Sequence, residues 1–220
     1  MVVKNKGQLY EEDINQLLDN KDLLPNELGE NDSGFIYGDK SYYVEIKNYQ
    51  APDFGQKGMV WNKDNGWSWR QNDIITELYD DFGVFDFIDE GFVPRRYTIN
   101  KDDITKEDKV FDQQHFEKSG IKLDSVDYLY EYYKRKNCFY IQIEDKGFYY
   151  LQKDIANLGV PQYKPSLTLR LRAKTHHSIP IYQYSFFAVI QIGKKPNQSS
   201  FDLEEKVGIF PPIIDLTTKY

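Results

Sequence analysis

The stretch NDSGFIYGDKSYYVEIKNYQ, Asn31 to Gln50, decides the fold. It reads as two short strands, about 34–38 and 41–47, joined by a polar turn at Gly38-Asp39-Lys40. On the second strand Val44 and Ile46 point inward, while Tyr43, Glu45 and Lys47 point outward, because residues two apart share a strand face. The run is too short for a helix. A hairpin brings Asp32, at the start of the first strand, beside Glu45 near one end of a sheet. Two carboxylates that close repel unless a cation sits between them. Oxygen ligands on both sides suit Mg²⁺, which keeps several waters and takes one or two protein carboxylates plus a substrate phosphate. Lys47 is then placed to orient or deprotonate an attacking water and to stabilise charge growing on a phosphate. Such a set serves metal-assisted phosphodiester hydrolysis. The competing expectation is an exposed strand face carrying an ordinary cross-strand ion pair.

Upstream, residues 8–20 place Tyr10, Ile14, Leu17 and Leu18 at helical spacing. Downstream comes a polar, glycine-bearing loop over 48–67. It lacks the G-K-[ST] ending of a nucleotide-binding loop. A helix is expected over 68–83, with Ser68 as cap and Gly83 as stop, then a strand in VFDFID. TKEDKVFDQQHFEKSG reads as a short helix, with His115 on the surface, and DSVDYLYEYYKRKN as a longer one ending in cations. CFYIQIED and GFYYLQ form a hairpin around Lys146-Gly147. SLTLRLRAKT alternates strictly, with Leu167, Leu169, Leu171 and Ala173 on one face and Thr168, Arg170, Arg172 and Lys174 on the other. IPIYQYSFFAVIQI is the return strand. Trp61, Trp67 and Trp69 are expected in the core. The sum is a single α/β domain, 1–220, with a central mixed β-sheet flanked by helices. Its catalytic core spans about 8–90 and a recognition and sheet-completing part about 124–195.

The formal charge of −7 and pI near 5.1 argue against non-specific coating of nucleic acid. The distribution matters more than the sum. Segment 164–195 holds Lys164, Arg170, Arg172, Lys174, Lys194 and Lys195 and no acid. The single cysteine, Cys138, rules out an internal disulfide framework and reads as a buried thiol beside Phe139. Mean hydropathy is −0.68, and no apolar run approaches the roughly 18 residues of a membrane helix. The opening MVVKNKGQLYEED has no apolar region of a secretory signal, so no membrane partner and a cytoplasmic location are expected.

Asp32…Glu45-Ile46-Lys47 resembles the PD-(D/E)xK nuclease motif, although Asn31 stands where the family carries proline. The resemblance implies a restriction-endonuclease-like fold, with Asp32 and Glu45 binding Mg²⁺, the Ile46 backbone carbonyl as a further metal ligand, and Lys47 assisting the water. Many members add a helical glutamate, for which Glu11, Glu12, Glu27 and Glu30 are all candidates. The segment from about 138 to 190 is similar to the C-terminal half of some type II restriction endonucleases. In its small size and its catalytic hairpin leading into a loop the chain resembles the blunt-cutting EcoRV/HincII group. The resemblance implies a homodimer that cuts double-stranded DNA at a palindromic site and leaves 5′-phosphates.

Candidate DNA contacts are Gln56, Lys57 and Arg70 in the loop after the catalytic strand. A C-terminal β-ribbon for DNA readout adds Arg170, Arg172 and Lys174, His176 and His177 at its tip, and Tyr182 and Gln183 on its return. The alternatives are a repair or structure-specific nuclease of the same superfamily, and a non-enzymatic acidic phage or immunity binding protein.

Overall fold

In chain order the elements are α1 (Lys6–Asp19), β1 (Ser33–Tyr37), β2 (Lys40–Lys47), β3 (Asp53–Asn62), β4 (Gly66–Trp69), α2 (Ile74–Asp81), α3 (Arg95–Thr98), α4 (Lys106–Phe116), β5 (Lys118–Leu123), α5 (Asp127–Arg135), β6 (Cys138–Ile143), β7 (Gly147–Tyr150), β8 (Ser166–Thr175) and β9 (Tyr184–Lys194). The computed structural model describes residues 4–20, 22–48, 53–123, 125–144, 146–175 and 184–194. Two compact units emerge. One takes its described residues from Met1–Pro52, Val126–Pro165 and Lys194, the other from Asp53–Ser125 and Ser166–Gly193. Each has its own sheet, where one central sheet was expected.

The first unit holds a four-stranded mixed sheet in the order β1-β2-β6-β7. β1–β2 and β6–β7 are antiparallel and β2–β6 is parallel. A parallel neighbour demands a crossover. Here the chain between β2 and β6 contains the first stretch of the second unit and then α5. Helix α1 starts at a capping box: Asn5 Oδ1 accepts from Gln8 N, and Gln8 Oε1 from Asn5 N, both at 3.0 Å. Its buried stripe of Tyr10, Ile14 and Leu18 packs in one core with Phe35, Val44, Ile46, Tyr140 and Phe148. Leu17 falls outside this stripe and is exposed. Cys138 is buried, as expected, and burial raises its thiol pKa.

The second unit holds a five-stranded sheet, β4-β3-β9-β8-β5, in which β3–β4, β3–β9 and β5–β8 pair antiparallel. β8 alternates as its sequence predicts, with Leu167, Leu169, Leu171 and Ala173 buried. Trp67 lies among Phe92, Phe116 and Phe186, and the buried Trp69 donates to Asp80 (2.7 Å). His115 is half-buried, stacked on Phe92 and close to Phe111. A fully buried carboxylate, Asp112 on α4, accepts from the N–H groups of Arg95 (2.8 Å) and Arg96 (2.9 Å) and from the Tyr184 hydroxyl (2.6 Å).

Several expectations are corrected here. The supposed loop after β2 is the β3–β4 hairpin. A β-bulge between Phe54 and Lys57, with Gly55 at φ +64°, shifts the inward positions from Phe54 to Met59 and breaks the two-residue period. The following helix starts later, capped by Asp73, which accepts from Ile75 and Thr76 N–H; Ser68 lies in β4. VFDFID forms a 3₁₀ turn over Val84–Phe87 rather than a strand. β5 was not foreseen, since a bulge between Lys118 and Ile121 scrambles its alternation too. The two ribbon strands, β8 and β9, are neighbours within the sheet, with β5 beyond β8 and β3 beyond β9. Among the described residues no helix is long and apolar enough to cross a membrane.

Candidate active site

The β1–β2 hairpin turns on two residues, with Tyr37 paired to Lys40. Gly38 and Asp39 both take positive φ (57° and 61°), the twist a two-residue turn needs to match its strands. That turn fixes the register at Ser33 opposite Val44, so Asp32 falls across from Glu45. Directly opposed residues share a face, so the two acids share one and Val44 keeps the core face. Asp32 is locked from two sides. Its backbone carbonyl accepts from Asn15 Nδ2 of α1 (3.0 Å), and its Oδ2 accepts from Ile46 N (3.0 Å), where β1 pairing has ended.

Glu45 is only 5% exposed. Its Oε1 is in contact with the Lys47 ammonium, which also lies 3.9 Å from Asp32 Oδ2. Its Oε2 is buried with no hydrogen-bond partner. The Ile46 carbonyl can be placed by strand geometry. Within a strand the N–H and C=O of one residue point to the same side, and neighbours alternate. The Lys47 carbonyl accepts from Glu144 N on the β6 side (2.9 Å), and the Ile46 N–H goes to Asp32. The Ile46 carbonyl therefore faces the Asp32 edge.

The electrostatics follow from burial and like charge. Burial raises the Asp32 pKa and the Glu45 charge raises it further, against Lys47, the Ile46 N–H and Lys136. Burial pulls the Lys47 ammonium down, but Glu45 and Asp32 outweigh it and its pKa ends above the ordinary value. The buried Tyr133 phenol is raised by burial and by the adjacent Glu45. Of the four candidate helical or loop glutamates, Glu11 is the one drawn into this field: burial and Asp32 raise its carboxyl, Lys47 lowers it and Glu45 raises it. Glu12 pairs instead with Lys4, and Glu27 and Glu30 are exposed. Helical periodicity does not distinguish Glu11 from Glu12. The difference is one of direction around α1, and the sequence carries no signal for it. Tyr132, Tyr133 and Lys136 of the α5 end were likewise missed, being ordinary members of an aromatic, basic helix.

The oxygens here that could hold a hard cation are those of Asp32, Glu45 and the Ile46 carbonyl. Among the described residues no group of three His, Cys, Asp or Glu side chains comes together as a metal cage.

The candidate DNA contacts that are described all belong to the second unit. Gln56 is exposed at the β3 bulge. Lys57 pairs with Asp73. Arg70 donates from Nη2 to Ser185 Oγ (3.2 Å). Arg172 lies 3.7 Å from Asp53. Arg170 and Lys174 have no acid within ion-pair distance among the described residues, and Arg170 lines a cavity of about 360 Å³ with Glu117, Ser119 and Gln191. His176, His177, Tyr182 and Gln183 lie outside the described residues. Compared with protein-family models, curated proteins and solved structures, the chain matches none.

Proposed function

We propose that this chain is a Mg²⁺-dependent endonuclease of double-stranded DNA, a type II restriction enzyme of the PD-(D/E)xK kind. The observation that carries this reading is Asp32 opposite a buried Glu45, with Lys47 on the same face at the end of β2 in a mixed sheet. The donor set fits the metal in one respect above others: Glu45 Oε2 is a buried carboxylate oxygen with no donor, a costly state that a cation relieves. A Mg²⁺ that keeps most of its waters needs no larger protein cage. Asp32, Glu45 and the Ile46 carbonyl would hold it. When bound it supplies charge stabilisation at the phosphate and acidifies a water.

The chain's own residues do the rest. Ile46 N–H and Asn15 fix Asp32 so that its carboxylate stays opposite Glu45. Lys47, with its proton held on by the two acids, is a donor that orients the attacking water and meets negative charge developing on the phosphoryl oxygens. Attack of water on phosphorus with breakage of the P–O3′ bond would release a 3′-hydroxyl and leave 5′-phosphate ends. A homodimer would place one such site on each strand of a palindrome.

A second reading within the superfamily, a structure-specific nuclease, gains from one observation. Lys57, Arg70 and Arg172 are engaged within their own unit, and β8 lies inside a broad sheet. One experiment tests both. Purified protein is incubated with a phage genome in Mg²⁺, in Ca²⁺ and in EDTA. Discrete fragments in Mg²⁺ alone are the expected result. A Mg²⁺-dependent smear selects the structure-specific reading. Intact DNA in every lane, with no binding in Ca²⁺, refutes both.

A further inference from the structure

The geometry points to Lys136 as a phosphate-binding residue of the site, holding a phosphodiester oxygen of the nucleic-acid strand beside Asp32. This assignment rests on the nuclease reading above.

The need for such a residue follows from the charges. Glu11, Asp32 and Glu45 feel one another, and the Lys47 ammonium beside Asp32 is engaged with Glu45. A bound Mg²⁺ would offset these acids at the scissile phosphate, but the rest of the strand's phosphates pass the same acidic corner. An uncommitted cation beside the acids would hold an oxygen of one of these phosphates.

Lys136 meets both conditions. It is the C-cap of α5, and Asn137 after it takes a left-handed turn (φ +56°) that sends the chain into β6. Its carbonyl accepts from Asn31 Nδ2 (3.3 Å), which ties this corner to the residue preceding Asp32. Its ammonium lies 5.4 Å from the centroid of the Tyr132 ring. The position is half-buried, and none of the described acids lies within ion-pair distance of the ammonium. It nevertheless lies close enough to Asp32 to pull that carboxyl's pKa down. The neighbouring cation Lys134 is occupied with Glu131 (3.1 Å). A lysine suits this task, as a compact charge with three rotatable donors that can follow a phosphate oxygen without a fixed planar geometry. The aromatic ring beneath it limits where the ammonium can swing.

The test compares wild type, Lys136→Ala, Lys136→Arg and, as a control for the metal ligands, Glu45→Ala. Binding of duplex DNA is measured in Ca²⁺ at several salt concentrations, and cleavage kinetics in Mg²⁺. Losing one phosphate contact lowers the slope of log affinity against log salt by about 0.9. The expected result for Lys136→Ala is that decrease in slope, about ten-fold weaker binding, and a rise in KM larger than any fall in kcat, with Lys136→Arg restoring most of it. Glu45→Ala is expected to abolish cleavage while still binding DNA. If wild type cleaves and Lys136→Ala keeps its affinity, salt slope and KM, this assignment is overturned and the nuclease reading stands. A weaker Lys136→Ala with an unchanged salt slope also overturns it, since that pattern marks a structural role. If wild type neither binds nor cleaves DNA, both fall together.

Discussion

Replacing Lys47 with methionine separates a buried functional cluster from an ordinary surface ion pair. The Lys47 side chain keeps 20% of its surface exposed and that of Glu45 keeps 6%, so the pair is largely desolvated. Removing one partner of a buried pair costs about 3–5 kcal/mol, because the other charge is left without compensation. The residual exposure of Lys47 places the expected loss near the lower bound, at about 3 kcal/mol at pH 7. An exposed pair would cost under about 1 kcal/mol.

The sign of the pH dependence adds a second check. The folded Asp32 pKa already lies above its ordinary 3.8, and without Lys47 it rises further. A carboxyl with a raised folded pKa penalises the fold at neutral pH, and the penalty fades as pH falls through that raised value. The deficit of the variant should therefore shrink between pH 7 and about 4. Urea denaturation followed by far-UV circular dichroism measures it. With a slope of about 2–3 kcal/mol/M the midpoint should fall by roughly 1–1.5 M. Tryptophan fluorescence is the internal control: Trp61, Trp67 and Trp69 all lie in the second unit. A variant within 0.5 kcal/mol of wild type, or a deficit that grows on acidification, refutes the reasoning. The double variant Lys47→Met/Glu45→Gln should recover most of the loss, since no buried charge is then orphaned at position 45.

Glu11→Gln should leave stability unchanged or slightly higher at pH 7, with the gain fading on acidification, because burial and Asp32 raise the Glu11 pKa in the folded state. Denaturation midpoints at pH 7 and 5 check this, and a loss at pH 7 would show that the carboxylate is held by Lys47 instead. Arg170→Ala should weaken duplex binding by about 1–3 kcal/mol with stability unaltered. Arg172→Ala should cost under about 1 kcal/mol of stability through its partly exposed contact with Asp53, and less binding than Arg170→Ala. Filter binding and denaturation on the two variants separate these roles. Asp112→Ala should cost about 3 kcal/mol or more, since it strands two backbone N–H groups and the Tyr184 hydroxyl in a buried position; a small shift in the tryptophan-detected midpoint would contradict it.

The sequence exposed those elements whose stability is local. The β1–β2 hairpin was legible because a glycine followed by a residue tolerant of positive φ specifies the turn, and Val44 and Ile46 alternate cleanly with Glu45 and Lys47. β8 was legible for the same reason. β3 and β5 were not, because each carries a bulge at a glycine and a bulge moves every later residue to the other face. The division into two sheets was invisible as well. It depends on β2 pairing with β6 from far along the chain, and alternation within one strand says nothing about its neighbour. At the site, the axial spacing of Asp32, Glu45 and Lys47 could be read because hairpin register is set by the turn. Glu11 and Lys136 arrive from other elements, and nothing in their local sequence marks them.

The burial of Glu45 bears most directly on what kind of site this is. A cross-strand ion pair that serves only stability sits in water, where both charges keep their hydration and the pair contributes little. Here a carboxylate with a buried, undonated oxygen faces a second carboxylate whose proton affinity is raised by burial and further by that proximity, and one lysine serves both. Two apolar side chains of similar volume would satisfy this position in the fold at lower cost. Burial raises the pKa of the neighbouring Tyr133 phenol and Cys138 thiol, and the Glu45 charge raises both further, so on this side the carboxylate meets neutral groups. Strongly coupled acids that weaken the fold concentrate where a cation or a reacting group completes them. The same argument explains why Lys47→Met is informative: the lysine that would assist the chemistry is also what keeps the two acids together before any metal arrives.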